Sequence, residues 1–154
     1  MDKRTIGILG LGVFGRSIIN TLCKYNCDII AVDDHDDVIN HFEPVLARGV
    51  VGDITDYDLL QAAGIDTCDT VVVATGDNLE SSVLAVMHCK SLGVEKVIAK
   101  VKSKTTRKVL LKVGADRCIS PERETGISLA KNILHQATTD VIELDKNVAI
   151  VESY

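Results

Sequence analysis

The chain has 154 residues, 46% apolar and 25% charged, which suits one domain able to bury about two-thirds of its unfolded surface and excludes a disordered chain. Aromatic residues are only 3% and tryptophan is absent, which argues against a stacking platform for single-stranded nucleic acid or sugars. A net charge of -5, from 17 basic and 22 acidic residues, disfavours non-specific binding to nucleic acid or an anionic membrane.

The first predicted strand runs from Thr5 to Leu9 and leads directly into Gly10-Leu11-Gly12-Val13-Phe14-Gly15, which opens a helix predicted from Phe14 to Tyr25. In that setting the first glycine permits a tight turn, the second lets backbone approach a phosphate, and the third lets helix pack against strand. Phosphate would sit on the helix amino terminus, where free N–H groups and the helix dipole favour an anion. Arg16 falls in the first turn, where a cation opposes the dipole; a nearby phosphate removes that conflict, and a solvated arginine is the other reading. Lys3-Arg4 and the apolar residues after it have the outline of a secretory signal, but three glycines, Arg16 and the lack of a small-x-small site oppose that reading. No stretch approaches the ~20 apolar residues of a membrane span.

The second strand, Asp28 to Val32, is followed by Asp33, 18 residues after Gly15, where a dinucleotide fold places an acid to hold the ribose hydroxyls. A carboxylate there repels a 2′-phosphate, so NADP is disfavoured, and Asp34, Asp36 and Asp37 reinforce the repulsion. Asp36 and Asp37 also read as a solvated acidic loop before a helix from about Asp37 to Glu43. The third strand, Gly49 to Val51, ends in Gly52-Asp53-Ile54-Thr55. There Asp53 is placed either to accept from an adenine amino group or to cap the helix Asp56 to Ala63. The fourth strand, Thr70 to Ala74, ends in Thr75-Gly76-Asp77-Asn78; Thr75 and Gly76 border a ligand at this edge, or form an ordinary turn, and Asn78 opens and caps a helix reaching Leu92.

A fifth strand from Lys96 to Val101, a helix from Lys104 to Val113 and a sixth strand from Arg117 to Ser120 follow. Residues 96–117 carry eight basic side chains against Asp116 alone, a local +7 that leaves -12 elsewhere. Lys104, Arg107, Lys108 and Lys112 share a helix face, either a solvated stripe or a contact for an acidic neighbour or phosphates. The last helix is predicted from Glu122 to Ala137. Beyond it, Asp140 to Leu144 and Val148 to Val151 read as two strand-like runs around Asp145-Lys146-Asn147. Gly64, Gly93 and Gly114 each follow a helical pattern as carboxy-terminal caps.

Six short Val- and Ile-rich runs, nearly continuous in hydrophobicity and separated by helices, imply strands covered on both faces. The fold class is therefore α/β: a doubly wound, Rossmann-like parallel sheet of six strands with helices on both faces. One domain occupies residues 1–137, and 138–154 read as a linker or hairpin toward a carboxy-terminal lobe. Five scattered cysteines without a C-x-x-C pair read as reduced cytosolic thiols and not as a zinc site. Four isolated histidines give nucleophilic catalysis no support.

The segments Asp28 to Asp33, Gly52 to Thr55, Val71 to Asn78, Gly114-Ala115-Asp116-Arg117 and Ser120-Pro121-Glu122-Arg123-Glu124-Thr125-Gly126 resemble the RCK/KTN regulatory domains of potassium channels and Trk/Ktr-type potassium uptake systems. The resemblance covers residues 5 to about 137, and its late segment is more specific than the glycine turn. It implies a cytoplasmic regulatory subunit or domain, without enzymatic activity, that binds ATP/ADP or NAD(H). Its members assemble as homodimers, often as an octameric ring, and pass the ligand state to a membrane potassium-transporting subunit, with no nucleic-acid partner and no direct membrane insertion. By position Gly10, Gly12, Val13, Phe14 and Gly15 would meet the phosphates, Asp33 with Asp34 the ribose, Asp53 with Ile54 the adenine, and Thr75, Gly76 and Asn78 the ligand's flank. Lys100 also falls in the family's ligand region. Glu122 falls where some members hold a cation near the phosphates at a dimer interface, its other reading being a first-turn acid that stabilises the last helix. Many Ktr-type members have arginine where this chain has Val13, which weakens any inference of a triphosphate clamp there. Two other readings remain at the level of sequence: an NAD-dependent oxidoreductase fragment lacking its substrate domain, and a free-standing Rossmann redox sensor.

Overall fold

The computed structural model describes the backbone of residues 3–144 and the side chains through residue 137. Strands β1 (Arg4–Leu9), β2 (Cys27–Asp33), β3 (Arg48–Val51), β4 (Thr70–Val73), β5 (Lys96–Lys100) and β6 (Arg117–Ile119) form one sheet in the order β3-β2-β1-β4-β5-β6. Every pair in it is parallel. Helices α1 (Val13–Leu22), α2 (Asp36–Phe42), α3 (Tyr57–Ala62), α4 (Leu79–Ser91) and α5 (Lys104–Val113) supply the crossovers that parallel strands require.

Adjacent residues of the central strands enter different cores, which is why those strands read as continuous apolar runs. Ile8, Ile29, Ala31 and Val72 join Ile19 of α1 and Ile39 and Phe42 of α2. Their neighbours Leu9, Ile30, Val32, Val71 and Val73 join Leu60 of α3, Ala85, Val86 and Cys89 of α4 and Leu110 of α5. Helices therefore cover both faces of the sheet, as the hydrophobic runs require. The edge strand β3 departs from the expectation of two covered faces, because Val51 is 47% exposed and Arg48 and Gly49 are exposed beside it.

Three helix ends fall where glycine was predicted. Gly64, Gly93 and Gly114 have φ of 89°, 88° and 130°, the left-handed backbone that turns a chain out of a helix at little cost only for glycine. The boundary after β6 differs from expectation. The chain forms two compact units, Met1–Ile119 and Ser120–Tyr154. The second contains α6 (Pro121–Leu144), a 24-residue helix that continues straight through the predicted linker start at residue 138 and the strand-like run 140–144. Apolar residues spaced for a short strand also suit a helix already nucleated upstream, where each added residue brings one more backbone hydrogen bond. The second run, 148–151, lies outside the described residues. Glu124 anchors the start of α6: its carboxylate accepts the Ser120 N–H at 2.8 Å while its own N–H donates to the Ser120 carbonyl at 2.9 Å.

Candidate functional site

The chain leaves β1 for β2 and β3 on one side and returns to β4 on the other, so a crevice opens between the carboxyl ends of β1 and β4. Gly10 sits at its head with φ of 93° and its N–H bonded to the Val32 carbonyl at 2.9 Å. A Cβ on Gly10 would press Thr75, and one on Gly15 would be driven into the Gly10 carbonyl oxygen, so α1 reaches this depth only with glycine at both positions. Gly12 is different. It is extended, at φ -74° and ψ -166°, and nothing lies within 4 Å of where its Cβ would be. No side chain caps α1 and no acid stands in its first turn, so its first amides have no side-chain partner on the helix itself.

Asp33 ends β2 almost fully buried, and three donors hold it: Leu11 N–H on Oδ2 at 2.6 Å, and His35 N–H at 2.8 Å and the His35 ring Nδ1 at 3.0 Å on Oδ1. The carboxylate thus braces the glycine turn from 22 residues away. Burial alone would raise its pKa; the Leu11 and His35 hydrogen bonds outweigh it and hold the group below its ordinary value. Of roughly four acceptor positions on a carboxylate, one on Oδ2 has no partner among the described residues. His35 Nδ1 also lies 2.7 Å from Asp34 Oδ1, and the bond to Asp33 followed by the charge of Asp34 raises its pKa above the ordinary 6.5.

The loop after β3 supplies a second carboxylate. Asp53 Oδ1 accepts the Thr55 N–H at 2.8 Å and the Thr55 hydroxyl at 2.7 Å, bonds that hold its carboxyl below the usual range. The cap of α3 falls to Asp56, which accepts the Leu59 N–H at 3.2 Å, so Asp53 is not the helix cap. Asn78 does cap α4, accepting the Ser81 N–H at 3.2 Å.

These residues enclose two cavities that share Gly10, Asp33, Asp34 and Thr75. One, of about 160 Å³, adds Gly52, Asp53, Ile54, Asn78 and Ser81. The other, of about 380 Å³, reaches Gly12, Arg16, His35, Gly76 and Lys100. Together they fall within the roughly 300–1,000 Å³ typical of small-molecule sites. The structure thus gathers ten predicted residues: Gly10, Gly12, Asp33, Asp34, Asp53, Ile54, Thr75, Gly76, Asn78 and Lys100. It does not bring the other three to either cavity. Val13 is 79% exposed, Phe14 is half-buried against the core shared by α1, α2 and the sheet, and Gly15 acts as a spacer beneath the turn. Glu122 lies exposed in the first turn of α6, in the second unit, while the cavity residues belong to the first. Sequence reasoning missed His35, although its position two residues beyond Asp33 was a readable signal. It also missed His88, whose partner Thr55 lies 33 residues away.

The signature Gly114-Ala115-Asp116-Arg117 lies away from both cavities and does structural work. Asp116 accepts the Val97 N–H at 2.8 Å and Lys90 Nζ at 3.0 Å, and its own N–H donates to the Val97 carbonyl, fastening β6 to β5 and α4. All five cysteines are free thiols, and burial pushes Cys68 and Cys89 up to about 12, far from thiolate chemistry. Among the described residues no helix is long and apolar enough to cross a membrane.

The family model for the TrkA-N domain matches residues 6–121. The Ktr system potassium uptake protein C of Bacillus subtilis strain 168 is 34% identical over 150 residues, covering 97% of this chain and 68% of that protein. Among solved structures, the TrkA-N domain of the inner membrane protein YbaL from Escherichia coli matches with a TM-score of 0.75 at 14% identity, over 85% of this chain and 96% of that one. A GsuK channel bound to NAD matches at TM-score 0.65 and 23% identity over 77% of this chain and 21% of the channel chain, and GsuK has also been solved bound to ADP. At these identities the structural likeness is one of fold. With the glycine turn, the sheet order and the family model coinciding over residues 6–121, the chain belongs to the TrkA-N domain family.

Proposed function

We propose that this TrkA-N domain is a non-enzymatic regulator of a potassium transport system, binding ATP/ADP or NAD(H) in the crevice between β1 and β4. The observation that carries the reading is Gly12: open space stands over an uncapped ten-residue helix, near two carboxylates of which Asp33 keeps one acceptor position on Oδ2 and Asp53 keeps Oδ2. A phosphate there would take the α1 amides with Arg16 and Lys100 on the cavity wall, Asp33 Oδ2 would take a ribose hydroxyl, and Asp53 would take the adenine amino group. The names of the relatives support the potassium-transport setting, and the NAD and ADP carried by GsuK support the ligand class. The crowd of Asp33 and Asp34 opposes a 2′-phosphate, so NADP is the poorer ligand.

Regulation works through a cytoplasmic homodimer or octameric ring contacting a membrane potassium-transporting subunit, with Glu122 at a subunit interface as a cation ligand. For the nucleotide to act as a switch, two conformations of this assembly must bind it with different affinity. The test is the melting temperature of the purified chain with ATP, ADP, NAD⁺, NADH and NADPH. At one hundred times the dissociation constant a ligand adds about 2.7 kcal/mol, so the first four raise the melting temperature by several degrees and NADPH by less. No shift with any of them refutes the nucleotide reading, and turnover of NADH against a carbonyl substrate refutes the non-enzymatic one.

A further inference from the structure

We propose that His88 is a positioning residue for the base end of the nucleotide site, acting on Asp53 through Thr55. The proposal rests on the reading of Asp53 as the acceptor for an adenine amino group.

His88 sits half-buried on α4 with Nε2 2.9 Å from the Thr55 carbonyl oxygen. A carbonyl only accepts, so Nε2 carries the proton and the ring donates. The ring's attitude is fixed from its other side: Tyr57, in the first turn of α3, meets it edge-on with centroids 5.5 Å apart and planes at 79°. Thr55 in turn donates twice to Asp53 Oδ1, from its N–H and its hydroxyl, which fills that oxygen. Among the described residues Asp53 Oδ2 has no partner, and Asp53 lines the smaller cavity.

The chain of bonds therefore runs from a core helix to an exposed carboxylate. Asp53 is held by its own five-residue turn, and a turn of that kind at the surface keeps considerable freedom. The His88 bond ties it to α4, whose Ala85, Val86 and Cys89 are buried in the core. That tie decides what Asp53 can discriminate. Adenine offers an amino donor at C6 and hypoxanthine a carbonyl oxygen, so a carboxylate oxygen fixed opposite C6 accepts from the first and repels the second. A carboxylate free to swing away tells the two apart poorly, while its effect on the rest of the nucleotide is unchanged.

The experiment is titration calorimetry of the purified chain with ADP and with IDP, whose bases differ at C6. Wild type prefers ADP by about tenfold or more, as expected for a hydrogen bond to a charged acceptor, and Asp53→Ala abolishes the preference. His88→Leu cuts the ratio at least about threefold, by weakening ADP and by relieving the repulsion of IDP. His88→Gln, whose side-chain N–H reaches the same carbonyl, restores the ratio. Thr55→Val, which removes the hydroxyl bond without touching α4, shifts the ratio in the same direction and tests the lower link; should His88→Leu fail to fold, His88→Phe, a ring without the N–H, carries the test of the upper one. An ADP/IDP ratio unmoved in a folded His88→Leu or His88→Phe, while Asp53→Ala collapses it, overturns the role of His88 and leaves the adenine reading standing. A ratio unmoved in Asp53→Ala overturns the adenine reading and the relay with it.

Discussion

Two alanines three positions apart separate what the glycine turn does for the fold from what it does for the ligand. A Cβ at Gly15 meets the Gly10 carbonyl oxygen head-on, and a backbone atom held by the Val32 hydrogen-bond register of β1 has little room to yield. Forced overpacking of this kind costs about 3 kcal/mol or somewhat more, and for a chain of this size each kcal/mol moves the melting temperature by about 2–4 °C. Gly15→Ala should therefore melt about 6–12 °C below wild type. Gly12→Ala should not, because φ is -74° and the Cβ projects into space with no neighbour within 4 Å. Losing a glycine's freedom in the unfolded chain stabilises by about 0.4–1 kcal/mol where the backbone fits, so its melting temperature should stay level or rise slightly. The added methyl stands where a phosphate would approach the α1 amides. Charge-assisted hydrogen bonds contribute about 1.5–3 kcal/mol each, so one lost bond alone weakens ADP or NAD⁺ binding roughly tenfold or more. Differential scanning calorimetry and calorimetric titration on the same preparations read both quantities. Wild-type nucleotide affinity in Gly12→Ala would refute the phosphate assignment, and a wild-type melt in Gly15→Ala would refute the packing argument.

The Asp33 cluster should give a two-sided pH profile. A carboxylate with a depressed folded-state pKa contributes stability above its unfolded value that disappears as pH falls through the folded one, so acidification below about pH 4 should destabilise wild type. Asp33→Asn should flatten that limb; an unchanged limb rejects the assignment. His35 is raised, so its contribution is complete below 6.5 and fades as pH rises through its folded value. Proton NMR should find the His35 titration above 6.5 in wild type and shifted back toward it in Asp33→Asn, and a midpoint indifferent to the change contradicts the geometry. Asp116→Ala strands the Val97 N–H and should cost about 1–2 kcal/mol in urea unfolding with nucleotide affinity unchanged; a loss of affinity would place the signature segment in the site after all.

The architecture was legible because parallel strands and crossover helices each leave a local mark. Continuous Val and Ile runs reported burial on two faces, and glycines at 64, 93 and 114 reported helix ends. Where a local mark admits two structures, the reading failed. The apolar pattern of 140–144 fits strand and helix alike, and only the 24-residue run of α6 from Pro121 decides between them. The edge strand β3 misled for the opposite reason: Gly49-Val50-Val51 reads like a central strand, and being outermost is a property of the sheet order that no window of sequence contains.

The site divides along the same line, and the division bears on how its specificity is built. Spacing and the resemblance to the RCK/KTN domains together placed ten residues at the cleft, Lys100 and Ile54 by the resemblance alone, and carboxyl ends of parallel strands converge there whatever the side chains do. They left the hydrogen-bond allocation unread, and allocation is what determines recognition. Asp33 has spent three acceptor positions on the glycine turn and His35 before any ribose arrives, and Asp53 has spent one oxygen on Thr55. Each carboxylate is thereby oriented by bonds formed during folding, so a ligand that uses a remaining acceptor position meets it already in place and avoids part of the ordering cost of binding. The residues that do this orienting are not the ones a motif gives a role: Leu11 and Thr55 stand inside motif segments without one, and His35 and His88 stand outside them, since a backbone N–H, a hydroxyl or an imidazole can hold a carboxylate from any position that tertiary contact brings near. A search for specificity differences among TrkA-N domains belongs at those bracing positions as much as at the glycines and aspartates that make the motif recognisable.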